Sequence, residues 1–317
     1  MFIQIIILIA GLLLILAGAN YLVEGSSSVA RKSGISEFVI GLTIVGIGTS
    51  TPEMVVSFIS SYQGNADMAI GNVVGSNIFN TMLILGVTAL IMPLKITRNT
   101  LRRDIPMNII ATMMLIIMGL NCTIFGIGND SISRIDGIIL LAVFAYYLYL
   151  SFKNDAGSEQ EEETRTFSTA LSIIMIAGGL AGLILGGKLF VNSASEIARL
   201  CNVPEAFIAI TVMAGGTSLP ELATCVVAAA KKRGQLALGN IIGSNISNIL
   251  LIIGGAAVVR PLPVKGITPV DFGVMLLSAI MILASAYLFK KKELDRVEGV
   301  ILLLTWGGYM AWLITSL

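Results

Sequence analysis

The chain has 317 residues, 56% hydrophobic and 12% charged, with a net charge of +1 and a mean hydropathy of +0.90. Soluble domains carry about 25% charged residues, so this composition excludes an ordinary soluble fold and specifies a polytopic membrane protein. Scattered basic residues leave no nucleic-acid patch, and the absence of histidine removes the commonest general base and zinc or copper ligand.

Spanning a bilayer as a helix takes about 20 apolar residues. Ten segments qualify: 2–23, 36–61, 68–92, 104–125, 134–152, 168–193, 203–230, 236–259, 268–289 and 297–316. Nothing alternates with period two over strand lengths, which argues against a β-barrel. The apolar start lacks a basic n-region and a cleavage site, and it has a counterpart near 173–187, so it reads as a retained helix. Cys122, Cys201 and Cys225 lack metal-ligand spacing and read as small residues buried in helices. Lys188 reads as snorkelling near a helix end. Trp306, Trp312 and the tyrosines read as interface anchors.

Segment two contains Gly-Thr-Ser-Thr-Pro-Glu at 48–53, and segment three Gly-Asn-Val-Val-Gly-Ser-Asn at 71–77. Segment seven repeats the first as Gly-Thr-Ser-Leu-Pro-Glu at 216–221, and segment eight the second as Gly-Asn-Ile-Ile-Gly-Ser-Asn at 239–245. The offset is 168 throughout, and it also pairs Gly18 with Gly186, Thr43 with Thr211, and Pro93 with Pro261. Five helices per copy invert the second copy in the membrane. The expected architecture is an all-α membrane protein of ten helices in two inverted five-helix repeats, with helices two and seven broken. Residues 1–152 form the first repeat, 153–167 a short cytoplasmic linker, and 168–317 the second repeat. The linker is acidic, has no EF-hand pattern and reads as solvated. Fifteen of the twenty Lys and Arg lie in the odd-numbered connections and four in the even ones. The positive-inside rule puts the odd connections in the cytoplasm and both termini outside the cytoplasmic membrane.

Pro52 and Pro220 remove a backbone donor. Gly46, Gly48, Gly215 and Gly216 permit unusual backbone angles, and together these residues predict breaks whose freed carbonyls can bind a cation. Each copy offers a Thr hydroxyl (Thr49, Thr217), a Ser hydroxyl (Ser50, Ser218) and a carboxylate (Glu53, Glu221). Facing helices add Ser76 with Asn80, and Ser244 with Asn248, each pair on one helical face. An intramembrane carboxylate is costly, and two copies in register point to a cation site where the halves meet. Every candidate ligand is an oxygen, which suits hard ions such as Ca²⁺ and Na⁺. Gly71, Gly75, Gly239 and Gly243 read as close-packing positions that bring the Ser/Asn face inward.

These motifs resemble the sodium/calcium exchanger family of the cation/Ca²⁺ exchanger superfamily, in its compact prokaryotic form, over essentially the whole chain. Proton/calcium members usually carry a different peptide around the glutamate. The resemblance implies four adjacent cation positions near the midplane. Glu53 and Glu221 would be central, binding Ca²⁺ with the carbonyls of Thr49 and Thr217 and with Asn80 and Asn248. The flanking Na⁺ positions would use Ser50, Ser218, Ser76, Ser244 and the carbonyls of Gly46 and Ala214. The family exchanges three Na⁺ for one Ca²⁺ by alternating access, as helices one and six slide across the bundle. Potassium-dependent members carry Asp where this chain has Asn248, so the resemblance implies potassium independence. The connection at 151–166 is too short for the calcium-sensing insert of animal members.

The chain is therefore expected to be a non-enzymatic, electrogenic antiporter that needs no cofactor. It moves Ca²⁺ and Na⁺ and engages the lipid bilayer, with no nucleic acid and no obligate protein partner. The alternatives are a H⁺/Ca²⁺ or K⁺-dependent exchanger and, outside that class, a cation channel. An intramembrane enzyme lacks a His pair, a Ser/Lys dyad or an Asp dyad to work with.

Overall fold

The computed structural model describes residues 1–126, 128–153, 155, 166–201, 215–288 and 292–315. In chain order the helices are α1 (Phe2–Ser33), the broken pair α2 (Glu37–Thr49) and α3 (Thr51–Gln63), α4 (Ala66–Ile91), α5 (Ile105–Gly119), α6 (Asn121–Phe125) and α7 (Arg134–Lys153). Then come α8 (Thr169–Leu200), α9 (Leu219–Ala230), α10 (Gly234–Val259), α11 (Pro269–Leu288) and α12 (Arg296–Thr315). Among the described residues seven helices are long and apolar enough to cross a membrane, and eight if α2 and α3 form one span. The only strands described are two antiparallel pairs of two residues, Leu94–Lys95 with Glu293–Leu294 and Ser131–Ile132 with Leu262–Pro263. Most of linker 153–167 lies outside the described residues, as does the first part of segment seven with Thr211 and Ala214.

Local chemistry sets the ends of these helices. Ser36, Asn65 and Ser168 each accept a backbone N–H in the first turn, from Val39, Met68 and Leu171. Gly34 closes α1 in the left-handed conformation, φ 67°. Both α1 and α8 run on well past their hydropathic ends at 23 and 193. The added turn of α1 carries buried Ser26, Ser27 and Ser28. Hydropathy follows contact with lipid, whereas these serines face protein.

Two compact units divide the chain, and each draws on both sequence repeats. The first comprises Met1–Pro52 and Asp155–Asn240. In it α1 and α8 meet along glycines. A Cβ on Gly11 would lie 2.8 Å from the Phe190 nitrogen, and one on Gly18 would lie 2.7 Å from the Gly179 oxygen. Ser172 Oγ bonds Ser28 Oγ at 2.8 Å in the same seam. Lys231 pairs with Glu24, and Arg233 with Glu37 at 3.3 Å.

The second unit comprises Glu53–Asn154 and Ile241–Leu317. Here α7 packs on α10 through Gly137 and Gly254, and α4 on α12 through Gly86 and Gly299. Asp104 is fully buried, paired with Arg103 Nε at 2.7 Å and accepting a bond from Tyr147 Oη at 2.9 Å. Arg103 also donates to the Leu150 and Ser151 carbonyls at the end of α7, where a cation complements the helix dipole. On the surface, Thr123 and the backbone of Cys122 bond Asp130, which holds its carboxyl below the usual range.

Three sequence expectations change. Lys188 is exposed well inside α8, not near its end. Cys122 and Cys201 are exposed, at α6 and at the end of α8, and only Cys225 is buried. Tyr147 is buried rather than interfacial, because its hydroxyl satisfies Asp104.

Candidate functional site

The first unit holds the break between α2 and α3. Gly46 is right-handed helical (φ −62°, ψ −45°), and the interruption falls at Ser50 (φ −78°, ψ 10°). Ser218 has nearly the same angles (φ −91°, ψ 8°) before α9. The expectation of unusual glycine angles is thus corrected for Gly46, Gly48 and Gly216, none of which has a positive φ. Gly48 is small because Leu180 lies against it, 2.9 Å from where its Cβ would be. Pro52 and Pro220 sit in the first turns of α3 and α9, where a missing N–H is tolerated.

Those same first turns carry Glu53 and Glu221, both fully buried. The positive end of a helix dipole favours a carboxylate there. In the first unit Ser50 Oγ donates to Glu221 Oε1 at 2.9 Å. Thr49 Oγ1 donates to Asn240 Oδ1 at 3.1 Å, and Asn240 Nδ2 donates to Cys225 Sγ at 3.2 Å. Thr217 is half-buried, and its Oγ1 has no partner among the described residues. Ser218 and Gly46 are buried.

In the second unit Ser76 Oγ donates to Glu53 Oε1 at 3.3 Å. Asn72 Nδ2 donates to the Glu53 carbonyl at 3.1 Å and to Ser57 Oγ at 3.0 Å. Four more amides form a buried lattice. Asn80 Nδ2 donates to Asn245 Oδ1 at 3.2 Å, and Asn248 Nδ2 donates to Asn77 Oδ1 at 3.0 Å. Asn77 Nδ2 reaches the Asn245 carbonyl at 3.2 Å, and Asn245 Nδ2 reaches Thr81 Oγ1 at 2.7 Å. Ser244 is fully buried. Asn80 and Asn248 lie in π-helical turns, Phe79–Ile84 and Asn248–Ile253, a distortion that often marks functional positions.

The sequence reading passed over Asn72, Asn77, Asn240 and Asn245. The signal was present: all four lie in the duplicated heptapeptides, paired at the 168-residue offset. The same offset pairs Ser57 with Cys225, and Thr81 with Ile249, which has no hydroxyl.

Of the close-packing glycines, Gly239 fits its expectation, since a Cβ there would lie 2.2 Å from the Phe38 carbonyl oxygen. Gly75 does not, because no atom of the described residues lies within 4 Å of its Cβ position. No group of three or more His, Cys, Asp or Glu among the described residues is placed to hold a metal. Glu53 and Glu221 each accept a serine hydroxyl instead, and hydroxyl and carboxylate oxygens are the kind of ligand that hard cations prefer.

The family model described as sodium/calcium exchanger protein matches residues 3–153 and 171–315. The chain is 34% identical to the putative antiporter CaxA of Alkalimonas amylolytica, covering 100% of both. It is 32% identical to the sodium/calcium exchanger MaX1 of Methanosarcina acetivorans, covering 97% of each. The solved sodium-calcium exchanger NCX_Mj, soaked with Na⁺ and Sr²⁺, superposes with a TM-score of 0.84 at 31% identity over 98% of each chain.

Proposed function

Because the chain belongs to the sodium/calcium exchanger protein family, we propose that it is an electrogenic, potassium-independent antiporter exchanging Na⁺ for Ca²⁺ by alternating access. It is a multi-pass membrane transporter and not an enzyme. The observation that carries the ion reading is a pair of fully buried carboxylates, Glu53 and Glu221, each receiving a serine hydroxyl. Burying a carboxylate costs several kcal/mol, and a bound cation would offset that cost.

In this reading Glu53 and Glu221 are central ligands, joined by Thr49, Thr217, Asn80 and Asn248. Ser50, Ser218, Ser76, Ser244, Gly46 and Ala214 serve the Na⁺ positions, although Ala214 lies outside the described residues. The proposed architecture is ten spans in two inverted repeats, 1–152 and 168–317, joined by linker 153–167. Both termini lie outside the cytoplasmic membrane.

Purified protein in Na⁺-loaded proteoliposomes should take up ⁴⁵Ca²⁺ when external Na⁺ is low, ignore K⁺ and respond to a clamped potential. Uptake that follows a pH gradient and ignores Na⁺ would overturn the sodium reading in favour of proton coupling. Ohmic single-channel currents would overturn antiport altogether.

Asn248→Asp adds a charge at a fully buried amide. It should alter the Na⁺ and K⁺ dependence of uptake more than it weakens Ca²⁺ binding. An unchanged cation profile would remove Asn248 from the ligand set.

A further inference from the structure

We infer that Asn77 and Asn245 are positioning residues that hold the amides of Asn248 and Asn80 with their oxygens free for the cation. The inference rests on the functional reading above and adds two residues to it. All four amides are buried, with Asn80 and Asn248 0% exposed and Asn77 and Asn245 at 2% and 1%.

An amide can turn either its oxygen or its NH₂ toward a cation, and only the oxygen binds. Rotation by half a turn about the last side-chain bond exchanges the two with little change in shape. A neutral amide ligand therefore needs a second group to choose its face. Asn77 supplies one to Asn248: its Oδ1 takes the Asn248 Nδ2 proton at 3.0 Å. Asn245 supplies the other to Asn80, with its Oδ1 taking the Asn80 Nδ2 proton at 3.2 Å. An acceptor can engage only the NH₂ side, so each contact fixes the rotamer that points NH₂ backward. The outcome is visible at the other end of each amide: Asn80 Oδ1 and Asn248 Oδ1 are buried with no partner among the described residues. A buried carbonyl oxygen left empty is costly, and a bound cation would satisfy both.

The orienting groups are themselves held. Asn77 Nδ2 donates to the Asn245 carbonyl, and Asn245 Nδ2 to Thr81 Oγ1. Those bonds leave Oδ1 of each free to accept. The arrangement is also crossed. Residue 77 of the first repeat orients residue 248 of the second, and residue 245 of the second orients residue 80 of the first.

Aspartate provides the decisive test, since its two oxygens are equivalent and it needs no orientation. ⁴⁵Ca²⁺ equilibrium binding to the purified full chain in detergent would be measured for wild type, Asn77→Ala, Asn248→Asp and the double variant. Thermal unfolding would serve as the folding control. Asn77→Ala should raise the Ca²⁺ Kd about tenfold, an effect of about 1.4 kcal/mol. In the Asn248→Asp background the same change should raise it less than about twofold.

Equal losses in both backgrounds would mean that Asn77 is only structural and would overturn the inference. So would wild-type affinity in Asn77→Ala while Glu53→Gln abolishes binding, although the exchanger reading would then stand. Absence of Ca²⁺ binding by wild type would overturn both. Should Asn77→Ala fail to fold, the mirror cycle of Asn245→Ala against Asn80→Asp gives the same readout on the other arm.

Discussion

Proteoliposomes carrying Glu53→Gln or Glu221→Gln are expected to show no Na⁺-dependent ⁴⁵Ca²⁺ uptake above the protein-free background. Each glutamate is fully buried in the first turn of its helix and accepts a serine hydroxyl. Glutamine keeps the shape, so the change is one of charge. Removing one member of a buried ionic contact costs about 3–5 kcal/mol, or about two to three and a half decades in Kd. The same variants should fold at least as well as wild type, because a neutral amide is easier to bury than a carboxylate without its ion. Retained stability with lost transport separates a ligand from a structural brace. Near-normal uptake by either variant would show that its carboxylate does not bind the transported ion.

Gly239→Ala is expected to destabilise the protein strongly, and Gly71→Ala, at the matching position of the other repeat, only weakly. In the first unit α2 and the start of α10 touch backbone to backbone. An added Cβ on Gly239 would lie 2.2 Å from the Phe38 oxygen, and one on Gly41 would lie 2.5 Å from the Leu236 oxygen. Neither oxygen can move without its helix. Overpacking of this kind costs about 1–3 kcal/mol or more, a fall of several degrees in melting temperature. At Gly71 the nearest atom is the terminal methyl of Ile267 at 3.1 Å, which can swing away. Thermal unfolding of the two variants in one detergent compares them directly. Equal melting temperatures would refute the argument.

Much of this was legible in the sequence, and particular residues show where legibility ended. The apolar runs marked the seven or eight spans seen among the described residues, because lipid contact is a bulk property of many side chains. Glu53 and Glu221 stood out because a carboxylate inside an apolar run is conspicuous. Asn77 and Asn245 did not, although they too lie in duplicated peptides. Their role lies in partners 171 and 165 residues away in the chain, and an amide in a helix carries no local mark of what it holds. The break was placed in the correct peptide for a partly wrong reason. Glycine torsions were expected to make it, yet Ser50 and Ser218 carry the non-helical angles, while Gly48 makes room for Leu180. The π-helical turns at Asn80 and Asn248 were also invisible, since one inserted residue shifts the helical phase without changing composition.

The pairing of Thr81 with Ile249 has a consequence for direction. A perfectly duplicated exchanger would have inward- and outward-facing forms of equal free energy, because inversion would turn one into the other. Asn245 Nδ2 bonds the Thr81 hydroxyl, and the residue that should mirror that hydroxyl is a hydrocarbon. That degeneracy would be lifted if the bond were kept in only one of the two forms. A buried neutral hydrogen bond contributes about 1 kcal/mol, enough to weight two states about fivefold. Under the proposed alternating-access reading, a hydroxyl present in one repeat and absent from the other would favour whichever form keeps its bond, and unequal forward and reverse exchange rates under equal gradients would be the expected sign of it.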